Sequence, residues 1–305
     1  METPDNLKKI YRHFEYHINP KLEIQKGISI NKNIIKDIEK FAGERMLIWE
    51  RKIKKCNPPF TKDKILQKYK FCNIYRELDK QTIDLHTLLA EYRKDLPFWL
   101  LNTAFYRFIC NSETIRKIGL LSFNKSNNKK VYKRLINLPK PKYGNAYIFP
   151  ISLIQKTNYP TREKFFCFYL PILIQKILPI VKEFNRTGML EAVTIICKKI
   201  NLNFKFHFTE ILIDFAYQFP NYIDLYKEFY IGPGSIPTMK LLSDSDPVKT
   251  CQYLTKIKLH SFPYLEYFGK EVLLSAENWE GIGCEYRKYI NLKKGTGRKR
   301  YYLSN

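Results

Sequence analysis

Acidic residues are scarce in this chain: 29 Asp and Glu stand against 53 Lys and Arg, for a formal net charge of +24. Such a balance points to a polyanionic partner, because lysine and arginine displace counterions condensed on phosphates. An AT-rich coding bias, which inflates Lys, Ile, Asn and Tyr without any partner, is the competing explanation. No C-x-x-C pair occurs among the seven cysteines. That removes zinc-deaminase chemistry and the usual four-cysteine zinc or iron–sulfur sites. The cysteines read as reduced core thiols, and neither a metal nor a cofactor is expected. The phosphate-cradling G-x-x-x-x-G-K-[ST] loop is missing, which excludes P-loop nucleotide chemistry. The start M-E-T-P-D-N lacks a basic segment followed by an apolar run, so no signal peptide is expected. The most apolar stretch, residues 165–181, is broken by Gln175, Lys176 and two prolines. It reads as a buried helix and not as a membrane span. The expectation is a cytoplasmic protein with no membrane partner and no obligate protein partner.

What the chain does have is apolar residues at helical spacing. With 305 residues, 45% of them hydrophobic, it can bury a substantial core. Helical rhythm covers residues 6–18, 31–55, 63–80, 82–94, 147–154, 161–184, 189–200 and 209–219. Residues 97–110 are apolar nearly all round, which predicts a central core helix with Pro97 in its first turn. Residues 124–134 read as an exposed basic loop entering a short helix, and residues 139–145 as a second loop. Residues 201–208 alternate best and could form a short strand, but nothing sustains a sheet. The spacing therefore predicts an all-α chain, a single domain with two lobes at about 1–140 and 141–290 and a basic tail at 291–305.

Residues 49–82 organise the reading. Pro58 and Pro59 stop one helix. Thr61 is then positioned to cap the next, with Asp63 in its first turn. The apolar seam through Ile65, Tyr69 and Cys72 reaches Arg76 and Asp79, where the rhythm calls for apolar residues, with Asn73 one turn back from Arg76. Two explanations stand: a buried Arg76–Asp79 ion pair, or a polar active-site wall on one rigid helix.

The same run resembles the helical-domain family of phage DNA-hypermodification proteins. That family includes the alpha-glutamyl/putrescinyl thymine pyrophosphorylases and the helical part of 5-hydroxymethyluracil DNA kinases. Its pattern, E-R, P-P-W-T-x-D, I-L, Y-x-F-x-N-x-Y-R-E-x-D-x-x-T, is met from Glu50 and Arg51 through Pro58, Thr61, Asp63, Tyr69, Asn73, Arg76 and Asp79 to Thr82. Phe60 replaces the usual tryptophan. Three further segments are similar. In T-E-I-L-I-D-F-A-Y, residues 209–217, Asp214 lies among apolar neighbours one turn from Glu210, although the family's glycine hairpin before it is missing. A carboxylate in such surroundings is a candidate acid or base, with an ion-paired acid as the plain alternative. In I-G-P-G-S-I-P-T-M-K-L, residues 231–241, Gly232 and Gly234 permit tight backbone geometry for a phosphate. Ile236, Pro237 and Thr238 replace the family's basic residues there. The C-terminal run matches at Cys284, Glu285, Lys288, Tyr289, Gly295, Gly297 and Arg298. Lys293, Lys294, Arg298, Lys299 and Arg300 then form a flexible basic tail suited to a DNA backbone.

The resemblance implies a compact helical body related to the helix-hairpin-helix DNA glycosylases, with a cleft, acting on modified pyrimidines in double-stranded DNA. Asp79, Asp214 and Glu285 are then candidate catalytic acids. Asn73, Arg76, Tyr69, Lys288 and Tyr289 are candidate contacts to the extruded base. Gly232, Gly234, Lys293, Lys294, Arg298, Lys299 and Arg300 are candidate DNA contacts. Three readings remain open: a glycosylase excising a bulky modified base from foreign or phage DNA; a transferase replacing pyrophosphate on activated hydroxymethyluracil; and a non-catalytic binder, which would tolerate loss of every acid.

Overall fold

A computed structural model describes residues 1–23, 26–144, 149, 151–155, 157–297 and 301. The chain is helical, with only two short strand pairs among the described residues: Thr187–Gly188 parallel to Ile223–Asp224, and Glu266–Tyr267 antiparallel to Lys270–Glu271. It divides into two units. Residues 1–8, 14–79 and 225–305 form the first, and residues 9–13 and 80–224 the second. The chain thus passes from one unit to the other after residues 8, 13, 79 and 224.

In the first unit the long helix Lys32–Ile53 starts at Asn31, whose side chain accepts the Asn33 and Ile34 amides. Ile38, Phe41, Ala42, Met46 and Trp49 form its buried stripe at spacings of three and four. The C-terminal helix Ala276–Lys293 packs against it, and the helices Ile236–Leu242 and Pro247–Leu254 complete the layer. Ser275 and Asn278 cap the C-terminal helix reciprocally while fully buried, so its entry is fixed.

In the second unit the helix Leu96–Ile109 is buried from Trp99 to Ile109, as its apolar sequence predicts. It packs against Lys205–Gln218 and against the continuous helical stretch Arg162–Lys182, which contains a π-helical turn at Phe165–Tyr169. That stretch is long and apolar enough to cross a membrane by length and composition. Its residues Phe165, Phe166, Leu170, Leu173, Ile174 and Val181 are buried inside the protein, the fate expected of a core helix.

Several local expectations are overturned. Residues 63–80 are not one helix: Lys64–Lys68 is a single turn, residues 69–75 are non-helical, and Arg76–Leu78 is a 3-10 turn before the helix Lys80–Leu88. Side chains satisfy the backbone there in place of helical bonds, which is how local polar groups compete with a helix. Asp63, not Thr61, caps the first turn, accepting the Ile65 and Leu66 amides, while Thr61 accepts the Asp63 amide. The basic segment near 125 is a helix, Lys125–Asn137, capped by Asn124. Residues 205–208 open the helix Lys205–Gln218 and form no strand, and Asn201 turns the chain with a φ of 54°. Cys56 and Cys72 are exposed, so not every thiol is in a core.

His13 of the second unit is buried and stacks on Tyr217 at 4.2 Å. Burial pushes its imidazole well below the ordinary range, nearby His86 pushes in the same direction, and a backbone bond to Tyr217 opposes both. The folded protein therefore resists a proton that the unfolded chain takes up below about pH 6.5, and stability falls as pH drops through that value. His13→Phe should flatten this fall by up to about 1.4 kcal/mol per pH unit in denaturant melts between about pH 5 and 6.5.

Candidate functional site

The segment 69–79 is a loop closed on itself by its own polar residues. The Asn73 amide donates to Asp79 Oδ1 at 3.1 Å, and Asn73 Nδ2 donates to the Leu78 carbonyl at 2.9 Å. Asp79 keeps part of its surface in solvent, whereas Arg76 and Glu77 are buried at the start of the 3-10 turn. Phe71, Ile74 and Tyr75 anchor the loop in the core, and the Tyr75 hydroxyl donates to the Val272 carbonyl.

The C-terminal helix meets this loop from the other end of the sequence. Glu285 Oε2 accepts the Cys72 amide at 3.2 Å. Lys288 donates to the Lys70 carbonyl, lies 3.4 Å from Glu285 and sits over the Phe71 ring at 4.4 Å. The hydroxyl of Tyr289 donates to Asp63 Oδ2 at 2.5 Å, so one carboxylate caps a helix and holds the C-terminal helix in place. Burial, and then the bond to Asp63, push that phenol up, so it stays a donor. Tyr69 is buried and pairs with Tyr301 as an isolated antiparallel bridge, their rings 5.2 Å apart. Gly295 and Gly297, both at positive φ, turn the chain after the helix. Tyr301 is thereby held against Tyr69. Lys293 lies over the Tyr289 ring and Lys294 is exposed, while Arg298, Lys299 and Arg300 lie outside the described residues.

Asn73, Asp79, Glu285 and Lys288 are thus brought around one stretch of backbone, residues 70–73. Arg45, which the sequence reading passed over, supports it from below. Its guanidinium is 3% exposed, and Nη2 donates to the carbonyls of Phe71 and Cys72, both at 3.2 Å. Nε and Nη1 of Arg45 have no hydrogen-bond partner among the described residues. A signal was available: Arg45 falls on the apolar stripe of its helix, one turn from Phe41.

Gly232 and Gly234, expected to cradle a phosphate, lie in a loop that contacts the C-terminal helix. The Gly232 amide donates to Glu280 Oε1 at 3.2 Å, and Arg287 donates to the Pro233 carbonyl at 3.0 Å. A Cβ on Gly234 would stand 2.6 Å from Cys284 Sγ. The glycines let this loop lie directly on the C-terminal helix, and the amide faces a carboxylate already. Gly234→Ala should cost about 1–3 kcal/mol by overpacking, and most of that should return when Cys284→Ala is added. Chemical denaturation of the two variants checks it; equal stability of Gly234→Ala and wild type would remove the packing role.

Asp214 lies in the second unit with its own partners. It is fully buried and receives Arg107 twice, Nε to Oδ2 at 2.5 Å and Nη2 to Oδ1 at 2.6 Å. His86 Nε2 is 3.1 Å from Oδ1. Gln218 Nε2 donates to the Ile10 carbonyl and points at His86 Nδ1, 2.7 Å away. That leaves Nδ1 as an acceptor and places the imidazole proton on Nε2, facing the carboxylate. The neighbours of Asp214 are therefore cationic and polar, not apolar as the flanking sequence suggests. Arg107 was missed, although it is the single charged residue in the otherwise apolar helix Leu96–Ile109.

No curated protein and no solved structure matches the chain. A family model does: the helical domain of the 5-hmdU DNA kinase family, over residues 32–298. The match spans both units and takes in the 69–79 loop and the C-terminal helix that meets it. The chain belongs to the 5-hmdU DNA kinase helical-domain family, whose name ties it to enzymes acting on a modified base in DNA.

Proposed function

We propose that this protein is a DNA glycosylase that extrudes a bulky modified pyrimidine, such as a glucosylated hydroxymethyl-pyrimidine, from duplex DNA and hydrolyses its N-glycosidic bond. The observation that carries this is the meeting of Asp79 and Glu285, with Lys288, on residues 70–73 of one loop. A base must leave the stack before its glycosidic bond can be reached. In this reading Asp79 is the working carboxylate. It orients the attacking water and stabilises the positive charge that grows on the sugar as the C1′–N1 bond breaks. The water oxygen ends on C1′, a proton ends on the departing base, and an abasic site remains. Glu285 and Lys288 hold the 70–73 backbone against the base, together with Asn73, Arg76, Tyr69 and Tyr289. The basic stretch around Lys293, Lys294 and Arg298–Arg300 neutralises phosphates. The whole chain acts as one catalytic domain, in the cytoplasm, and its biological setting is defence against hypermodified phage DNA.

The family description, a 5-hmdU DNA kinase helical domain, is equally compatible with a second reading, in which the protein is a transferase displacing pyrophosphate from activated 5-hydroxymethyluracil in DNA. Incubating the protein with glucosylated, hydroxymethylated and plain duplexes separates the two. Alkali-labile abasic sites on a modified duplex are expected. Intact strands carrying a heavier base in the presence of an amine, and only on pyrophosphorylated DNA, would replace the glycosylase reading with the transferase.

A further inference from the structure

Between Glu113 and Glu163 the sequence contains no aspartate or glutamate. The best-built part of this acid-free region is the helix Lys125–Asn137 of the second unit. Val131 and Leu135 are buried on its inner face. Asn128, also buried, accepts the Ser122 amide and donates to the Ser122 carbonyl, which locks the helix in place. On the outer face Lys125, Lys129, Lys130, Lys133 and Arg134 are all exposed.

This arrangement works against the helix that carries it. Lys125 occupies the first turn, where the positive helix end disfavours a cation. Lys125, Lys129 and Lys133 repeat at i, i+4, where like charges repel. No compensation comes from nearby acids. Glu113 pairs with Lys117, Asp84 with Arg116, and Glu163 accepts from Tyr143. None of the four lysines has a carboxylate partner among the described residues. A rigid helix, an uninterrupted cationic face and no counter-charge describe a surface prepared for an external polyanion.

We propose that the outer face of Lys125–Asn137 is a second backbone-binding surface for duplex DNA, distinct in sequence from the C-terminal basic stretch. The proposal rests on the reading of the protein as acting on DNA. Successive lysines at i, i+4 step about 6 Å along the helix, a spacing that lets each reach a different phosphate of one strand. Lysine binds phosphate as a mobile point charge and reads no base, so the surface adds affinity and register and leaves base choice to the site.

The test uses the full chain carrying K125Q/K129Q/K130Q/K133Q and an unmodified duplex, with Kd followed against salt by fluorescence anisotropy. Glutamine preserves helix propensity, and circular dichroism and thermal melting check the fold. The slope of log Kd against log salt should shrink by about 3 to 4, since each lost phosphate contact removes about 0.9. An unchanged slope in a folded variant would overturn the surface. So would an equal loss per charge in K176Q/K182Q, because net charge alone would then explain the effect. A variant that keeps its DNA slope but loses binding to phosphatidylserine vesicles would reassign the face to a membrane. The unmodified duplex keeps this measurement independent of base release. A reduced slope in a protein that releases no base would sink the glycosylase reading and leave the surface standing.

Discussion

Asp79→Asn should lower base release per folded molecule from a modified duplex by about a hundredfold or more. Oδ1 of Asp79 accepts a bond from the Asn73 amide. A carboxamide oxygen accepts that bond as well, so this closure of the loop is kept while the negative charge is lost. A few kcal/mol of transition-state stabilisation is the order of effect expected from removing one electrostatic contributor to a developing charge. Paired measurements of base release and denaturant stability decide it. A loss of about 3–5 kcal/mol with little change in rate per folded molecule would instead identify Asp79 as the counter-ion of a buried cation. A variant that is both fully active and normally stable would remove Asp79 from the site.

Asp214→Asn should do the opposite. Arg107 and Asp214 are 3% and 0% exposed as an ion pair, and the asparagine would leave the guanidinium buried without its counter-charge. Breaking such a pair from one side costs about 3–5 kcal/mol. The neighbouring groups make accommodation harder, because Arg107 Nη2 also donates to Thr82 at 3.0 Å and His86 is held by Gln218. Replacing both partners by apolar residues, Arg107→Met with Asp214→Leu, should recover much of the loss, since neither charge is then desolvated. Base release per folded molecule should survive in the single variant. An Asp214→Asn protein of wild-type stability with no activity would return Asp214 to the catalytic acids and unseat the assignment to Asp79.

The sequence by itself determined the helical class, the core helix Leu96–Ile109 and the burial of the apolar stretch near 170, because these depend on periodicity and composition, which are local. It also determined the family, since the motif around Asn73, Arg76 and Asp79 is dense enough to recognise without geometry. The tertiary structure decided how that motif is shaped. Periodicity drew Tyr69, Cys72, Arg76 and Asp79 onto one helix face, yet Asn73 and Asp79 close the backbone into a loop that Arg45 and Glu285 hold from distant elements. Those bonds join residues 26 and 213 positions apart, and no window of sequence contains both partners. The partnership of Asp214 was hidden for the same reason: its neighbours Ile213 and Phe215 are apolar, while its counter-charge comes from a helix 107 residues earlier. Residue type and spacing fix which groups are buried or exposed along an element. Only the packing of elements decides which charge answers which, because Coulombic and hydrogen-bond partners are chosen by distance in space.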